Sequence, residues 1–70
     1  MADTYKLITL VGISSKSYAD ATQNAVSAAA KTVRNLAWFE CKELRGRIDG
    51  KKIAEYQVKV DVAFKVSGKK

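Results

Sequence analysis

Hydrophobic positions along the chain fall into four segments with different periods, and each period predicts a different element. Tyr5-Lys6-Leu7-Ile8-Thr9-Leu10-Val11 is rich in β-branched and aromatic residues and runs into Gly12, which predicts a first strand over 5–11. Ile13-Ser14-Ser15-Lys16-Ser17 then reads as a loop. Ser17 is the expected N-cap of a helix, with Asp20 three positions on as a short-armed capping box and a negative charge in the first turn. The helix is predicted from Tyr18 to about Asn35. Tyr18, Thr22, Val26, Ala29 and Val33 form its apolar stripe at spacings of three and four, and Lys31 and Arg34 sit near its C-terminal end. Its many alanines favour helix and keep its profile slim.

Trp38-Phe39-Glu40-Cys41-Lys42-Glu43-Leu44-Arg45 predicts a second strand, although its alternation is mixed. Asp49-Gly50, between Ile48 and Ile53, predicts a hairpin turn. The third strand has the strictest pattern in the chain. Tyr56, Val58, Val60, Val62, Phe64 and Val66 line one face, with Gln57, Lys59, Asp61, Ala63 and Lys65 on the other. Ser67-Gly68-Lys69-Lys70 reads as a polar tail. A crossover helix makes strands one and two parallel, and the hairpin makes strand three antiparallel to strand two, so the simplest sheet has the order 1-3-2. This is an α+β, β-α-β-β arrangement in one domain over 1–70, with an ordered core of about 4–66. One helix covers one face, so the face bearing Gln57 is left to water or to other subunits.

Composition sharpens that expectation. The chain has 70 residues, one Cys and no His. A chain of about this size buries only around 60% of the surface it exposes unfolded. Cys41 has no partner for an intrachain disulfide, and no thiolate–imidazole metal cluster can be assembled. Oligomerisation is the remaining staple for so small a core. The absence of His also removes the usual imidazole of triads and of general acid–base schemes. Glu40, Glu43, Glu55 and Asp61 are available carboxylates, but the sequence nominates no acid–base pair among them. Gly12, Gly46 and Gly50 do not have phosphate-loop spacing. No apolar run approaches the ~20 residues that span a bilayer, and the first residues lack the positive region of a secretory signal. With an unpaired Cys, these features lead to the expectation of a cytoplasmic protein.

The 13 basic residues exceed the 7 acidic ones, giving a net charge of +6. Nucleic acid is the obvious partner to weigh, yet the basic residues are spread along the chain. No recognition helix or aromatic–basic strand face emerges, so no nucleic-acid partner is expected. Trp38, the sole Trp, is either a core or interface anchor or a stacking platform for a planar ligand. Alternation sends Phe39 the opposite way, so one of the two can serve the core while the other faces outward. Gln57, in the middle of strand three, is either a solvated amide or a donor–acceptor pair for the edge of a heterocycle. Arg45 and Lys65 can remain solvated or steer an anion. Cys41, in phase with Phe39, reads as an inert, partly buried thiol.

Taken together, Leu10-Val11-Gly12, the run Thr32-Val33-Arg34-Asn35-Leu36-Ala37-Trp38-Phe39-Glu40, Lys42-Glu43-Leu44-Arg45-Gly46, Glu55-Tyr56-Gln57-Val58 and Val62-Ala63-Phe64-Lys65 resemble the dodecin family. The resemblance covers nearly all of the chain from Tyr5 to Val66. It implies a flavoprotein: a hollow homododecamer that stores flavin and protects it from light, with flavins bound in pairs at subunit interfaces. Trp38 would match the stacking tryptophan, Gln57 the residue that bonds the polar edge of the ring, and Arg45 an arginine near the bound flavin. Lys65 stands where some relatives have Arg, which keeps the charge but not the planar fork. Flavin mononucleotide (FMN) is the implied ligand ahead of riboflavin. Coenzyme A is a further ligand of some relatives, with no residue here to carry it. No catalytic residue and no metal is implied. The alternatives are a flavin-dependent redox enzyme using the same site and, behind it, a basic nucleic-acid-binding module.

Overall fold

The computed structural model describes residues 3–66, so the tail expected at 67–70 lies outside the described residues. Four elements follow in order: β1 (Tyr5–Ser14), α1 (Tyr18–Ala30), β2 (Leu36–Asp49) and β3 (Lys52–Lys65). They form one three-stranded sheet with β3 in the centre, antiparallel to both neighbours, and α1 lies across one face. This is the β-α-β-β fold with order 1-3-2 that the pattern predicts.

The core is the contact between α1 and β3. Ala21, Ala25 and Ala29, spaced by four, are buried against Val58, Val60 and Val62, with Ile8, Leu10, Val26 and Leu36 packed around them. The buried stripe is therefore not the predicted Tyr18–Thr22–Val26–Ala29–Val33 line but one rotated toward the alanines. Methyl side chains let the helix backbone settle close to a row of β-branched residues, whereas Tyr18 would hold it away. Tyr18 instead packs edge-on against Tyr56, with centroids 4.9 Å apart.

Gly12 completes that close approach. It does not end β1, as the pattern suggests, because the strand continues beneath the helix to Ser14 and pairs with β3 along its whole length. A Cβ at position 12 would collide with the Ala21 carbonyl oxygen and lie 2.9 Å from the Ala25 Cβ. At the helix start the Ser17 hydroxyl accepts from the Asp20 N–H at 2.9 Å, as expected of an N-cap. The Asp20 carboxylate accepts from the Ser14 hydroxyl at 2.6 Å, which stitches the end of β1 to the helix.

Helix α1 stops at Ala30, five residues short of the predicted end. Lys31 is the C-cap, and Arg34 lies beyond the helix. The β-branched Thr32 and Val33 follow, and Asn35 takes a φ of 64°, a left-handed conformation that Asn tolerates better than most residues. In the hairpin, Gly50 and Lys51 turn the chain between the paired Asp49 and Lys52. Gly50 has a φ of 66° and Lys51 is not in the left-handed region, as in a type II′ turn. β3 ends at Lys65. Val66 continues only through a bond from its N–H to the Thr4 carbonyl.

Gly12→Ala should destabilise the fold by more than Ser17→Ala does. Loss of the cap costs about 1 kcal/mol, whereas overpacking against backbone costs roughly 1–3 kcal/mol or more. Denaturant unfolding of both variants at one protein concentration measures the order.

Candidate functional site

The face away from the helix is built from alternate residues of all three strands. Register places Trp38 beside Ala63, Glu40 beside Asp61, Glu43 beside Lys59, Arg45 beside Gln57 and Arg47 beside Glu55. From β1, Tyr5 pairs with Lys65, Leu7 with Ala63, Thr9 with Asp61 and Ile13 with Gln57. All four candidate residues, Trp38, Arg45, Gln57 and Lys65, therefore share the uncovered face. Simple alternation would not give this result, because Trp38 and Arg45 are an odd number of positions apart. The register of β2 slips between Cys41 and Glu43, leaving Lys42 as an extra, bulged residue that restores Glu43 and Arg45 to the Trp38 side. A second slip, around Ala37, sets Trp38 outward after the inward Leu36.

Trp38 is half-exposed, and so is Phe39 on the opposite side of the strand, so neither enters the core. The indole is held in two ways. Its N–H donates to the Glu40 carboxylate at 3.0 Å, and the Tyr5 ring lies 4.9 Å away, tilted by 52°. Between Leu7 and Trp38 in register, Ala63 is fully buried although no element among the described residues covers its face. Glu40 also bonds the Lys42 ammonium at 3.0 Å. The Trp38 N–H, then Lys42, hold the Glu40 carboxyl below the usual glutamate range, and Glu40 in turn raises Lys42. On the helix side of the strand, Val26, Leu36, Ala37, Trp38, Phe39 and Val62 line an apolar hollow. The one side-chain N–H among those residues is already bonded to Glu40.

The four candidates do not form one site within one chain. Trp38 and Gln57 are six positions apart along β3, roughly 20 Å at about 3.3 Å per residue, and Arg45 and Lys65 are farther apart still. An aromatic end holds Tyr5, Trp38 and Lys65, whose ammonium lies 3.3 Å from the Asp3 carboxylate. A polar end holds Arg45, bonded to Glu43 at 2.9 Å, and Gln57, whose amide donates to Glu55 at 2.7 Å. Arg47 approaches the same Glu55 at 3.6 Å. The two ends can address one ligand only through neighbouring copies of the chain.

Cys41 is exposed rather than partly buried, with its sulfur 3.8 Å from the Thr22 hydroxyl. The expectation of partial burial fails because β2 extends past the edge of the single helix. Sequence reasoning missed Tyr5 and Glu40 as partners of Trp38. Glu40 was within reach as an i, i+2 neighbour on one strand face, whereas Tyr5 needed the register. Among the described residues no helix is long and apolar enough to cross a membrane, and no group of three or more Asp, Glu, Cys or His side chains is placed to hold a metal ion.

Comparison with known proteins gives a consistent result. The Dodecin family profile matches residues 4–67. A dodecin from Thermus thermophilus is 44% identical over 66 residues, covering 94% of this chain and 96% of that protein. The crystal structure of the tt0972 protein from Thermus thermophilus superposes with a TM-score of 0.93 at 41% identity, covering 97% of this chain and all of that one. The dodecin of Streptomyces coelicolor gives 0.90 at 34% identity, with 96% of each chain covered.

The depressed Glu40 predicts a pH response that its sole-tryptophan neighbour reports. A carboxylate whose folded value lies below its unfolded one stabilises the fold above the unfolded value, near about 4.3, and loses that contribution as pH falls through the folded value. Trp38 fluorescence should therefore hold steady from neutral pH and change with a midpoint below that range. Glu40→Gln should abolish the transition.

Proposed function

The chain belongs to the dodecin family, and on that premise we propose that it binds flavin in pairs between subunits of a hollow homododecamer, storing and quenching it without turnover. The observation that carries this reading is the uncovered sheet face. It presents a half-exposed, oriented indole at one end and a cation beside an amide at the other, too far apart to serve one ligand within one chain.

The side chains fit the group. Trp38 offers an electron-rich plane for stacking. Gln57 offers both a donor and an acceptor to the polar edge of a ring. Arg45 and Lys65 offer charge to a phosphate, which favours FMN over riboflavin. Exposed apolar side chains give the neighbouring copies something to bury: Leu7, Val11 and Ile13 on the uncovered face, and Leu44, Ile48 and Ile53 on the hairpin. When bound, flavin supplies a photoexcitable ring that accepts an electron from an aromatic neighbour. Trp38 would be the residue placed to lend that electron and take it back, so that absorbed light would end as heat with no net oxidation.

A flavin-dependent enzyme at the same place is less well supported. Glu40 is tied to Trp38 and Lys42, Glu43 to Arg45, and Glu55 to Gln57 and Arg47, which leaves none of the three free as a general base. The same acidic residues, with Asp61, interrupt the positive charge of this face, unlike the continuous basic surface that nucleic acid selects. We assign no residue to coenzyme A. The unpaired thiol fits a reducing compartment such as the cytoplasm.

Apo-protein mixed with FMN should elute as a single large assembly that absorbs visible light and quenches flavin emission. Light scattering, absorbance and fluorescence on one column run measure all three. Trp38→Ala should weaken flavin uptake by about tenfold or more, the order expected for a lost aromatic stack. Arg45→Ala should weaken FMN more than riboflavin. Bright, unquenched flavin in the presence of excess protein would sink the reading.

A further inference from the structure

Trp38 does not hang freely from its strand. Its N–H donates to Glu40 Oε2 at 3.0 Å, the other carboxylate oxygen bonds the Lys42 ammonium at 3.0 Å, and Tyr5 packs against the ring. Glu40 faces Asp61 across the β2–β3 pairing, and Asp61 in turn accepts from the Thr9 hydroxyl at 2.7 Å. A negative charge is therefore fixed at the nitrogen end of an indole whose remaining surface is half open. Packing alone does not require it, since a solvent-facing indole N–H bonds water at no loss.

We propose that Glu40 is a positioning residue for Trp38: its carboxylate fixes the orientation of the indole and makes the ring easier to oxidise by one electron. The inference rests on the reading of Trp38 as a stacking electron donor, and it names what tunes that donor. When one electron leaves the indole π system, the ring becomes a cation and its N–H a much stronger hydrogen-bond donor. An anion already bonded to that N–H stabilises the oxidised form more than the neutral one, because charge-assisted bonds are the stronger kind and attraction scales with charge. The proton stays within the Nε1–H···Oε2 bond. When the electron comes back, the neutral indole and the carboxylate are as they were, so electrons and protons balance with no further reactant. The depressed Glu40 carboxyl agrees with this, since it keeps the group anionic through the neutral range. Lys42, on the far side of the carboxylate, opposes the effect in part and sets its size.

The test uses the whole chain without flavin, where the sole tryptophan gives an unambiguous signal. Glu40→Gln keeps the size of the side chain and removes its charge. Lys42→Met keeps the carboxylate and removes the opposing cation. Electron transfer from Trp38 to a soluble ruthenium photo-oxidant, followed by flash photolysis, should be about threefold or more slower in E40Q and faster in K42M than in the wild type. The single indole N–H resonance should move upfield in E40Q. A merely structural role would slow or speed both variants together, or leave both rates alone. Unchanged rates and an unmoved resonance in E40Q, with the assembly intact by light scattering, would overturn the inference. A parallel FMN titration of the wild-type chain decides the binding reading separately, because the apo-protein rates report on Glu40 whether or not flavin is taken up.

Discussion

The closeness of helix α1 to the sheet is the constraint on which the other features depend. Ala21, Ala25 and Ala29 meet Val58, Val60 and Val62 with nothing longer than a methyl on the helix side, and Gly12 has no side chain at all where the helix backbone crosses β1. A single helix at that distance seals one face of the central strand. It cannot reach the far part of a 14-residue hairpin strand, which explains the long, thin shape of 55 × 20 × 13 Å and the apolar residues left on the arm. The same economy leaves the other face of the sheet bare, and that is where the candidate side chains gather.

That bare face divides its chemistry between two ends. Stacking needs an aromatic plane, and edge recognition needs an amide and a cation, but here they are six register positions apart on one rigid sheet. No rotamer change closes such a gap. Either the two ends act separately or neighbouring copies bring them together, and the assembly proposed above would resolve the split in the second way. The small core and the divided site have the same solution: both call for contacts that one chain does not contain.

Much of this was legible in the sequence, and the parts that were not have physical reasons. The strict alternation of β3 disclosed the central strand, its buried valines and the outward Gln57. The hairpin turn and the Ser17 cap were readable because they rest on local chemistry. The helix stripe was misplaced because alanine carries little hydrophobic signal, although it permits the closest packing. The early helix end falls at Lys31, just ahead of the β-branched Thr32 and Val33, and the left-handed backbone of Asn35 that precedes β2 is one that Asn adopts without announcing it. Cys41 was expected to be partly buried because alternation tells which side a residue faces but not whether anything lies opposite it. The pairing of Trp38 with Tyr5 joins the two outer strands across β3, and only the register reveals it.

The bulge at Lys42 bears on how such a face can change. Which residues of β2 share the Trp38 side is decided by counting, as a reading frame is, and the bulge keeps the frame by taking Lys42 out of the count. Flattening the bulge with Lys42 still in the chain would transpose the message, sending Glu43, Arg45 and Arg47 to the helix side and Leu44 and Gly46 outward while Trp38 and Glu40 stayed in place, whereas removing Lys42 itself would close the bulge and leave every side unchanged. In this fold the makeup of the exposed face thus depends on where β2 holds its extra residue as much as on which residues it contains.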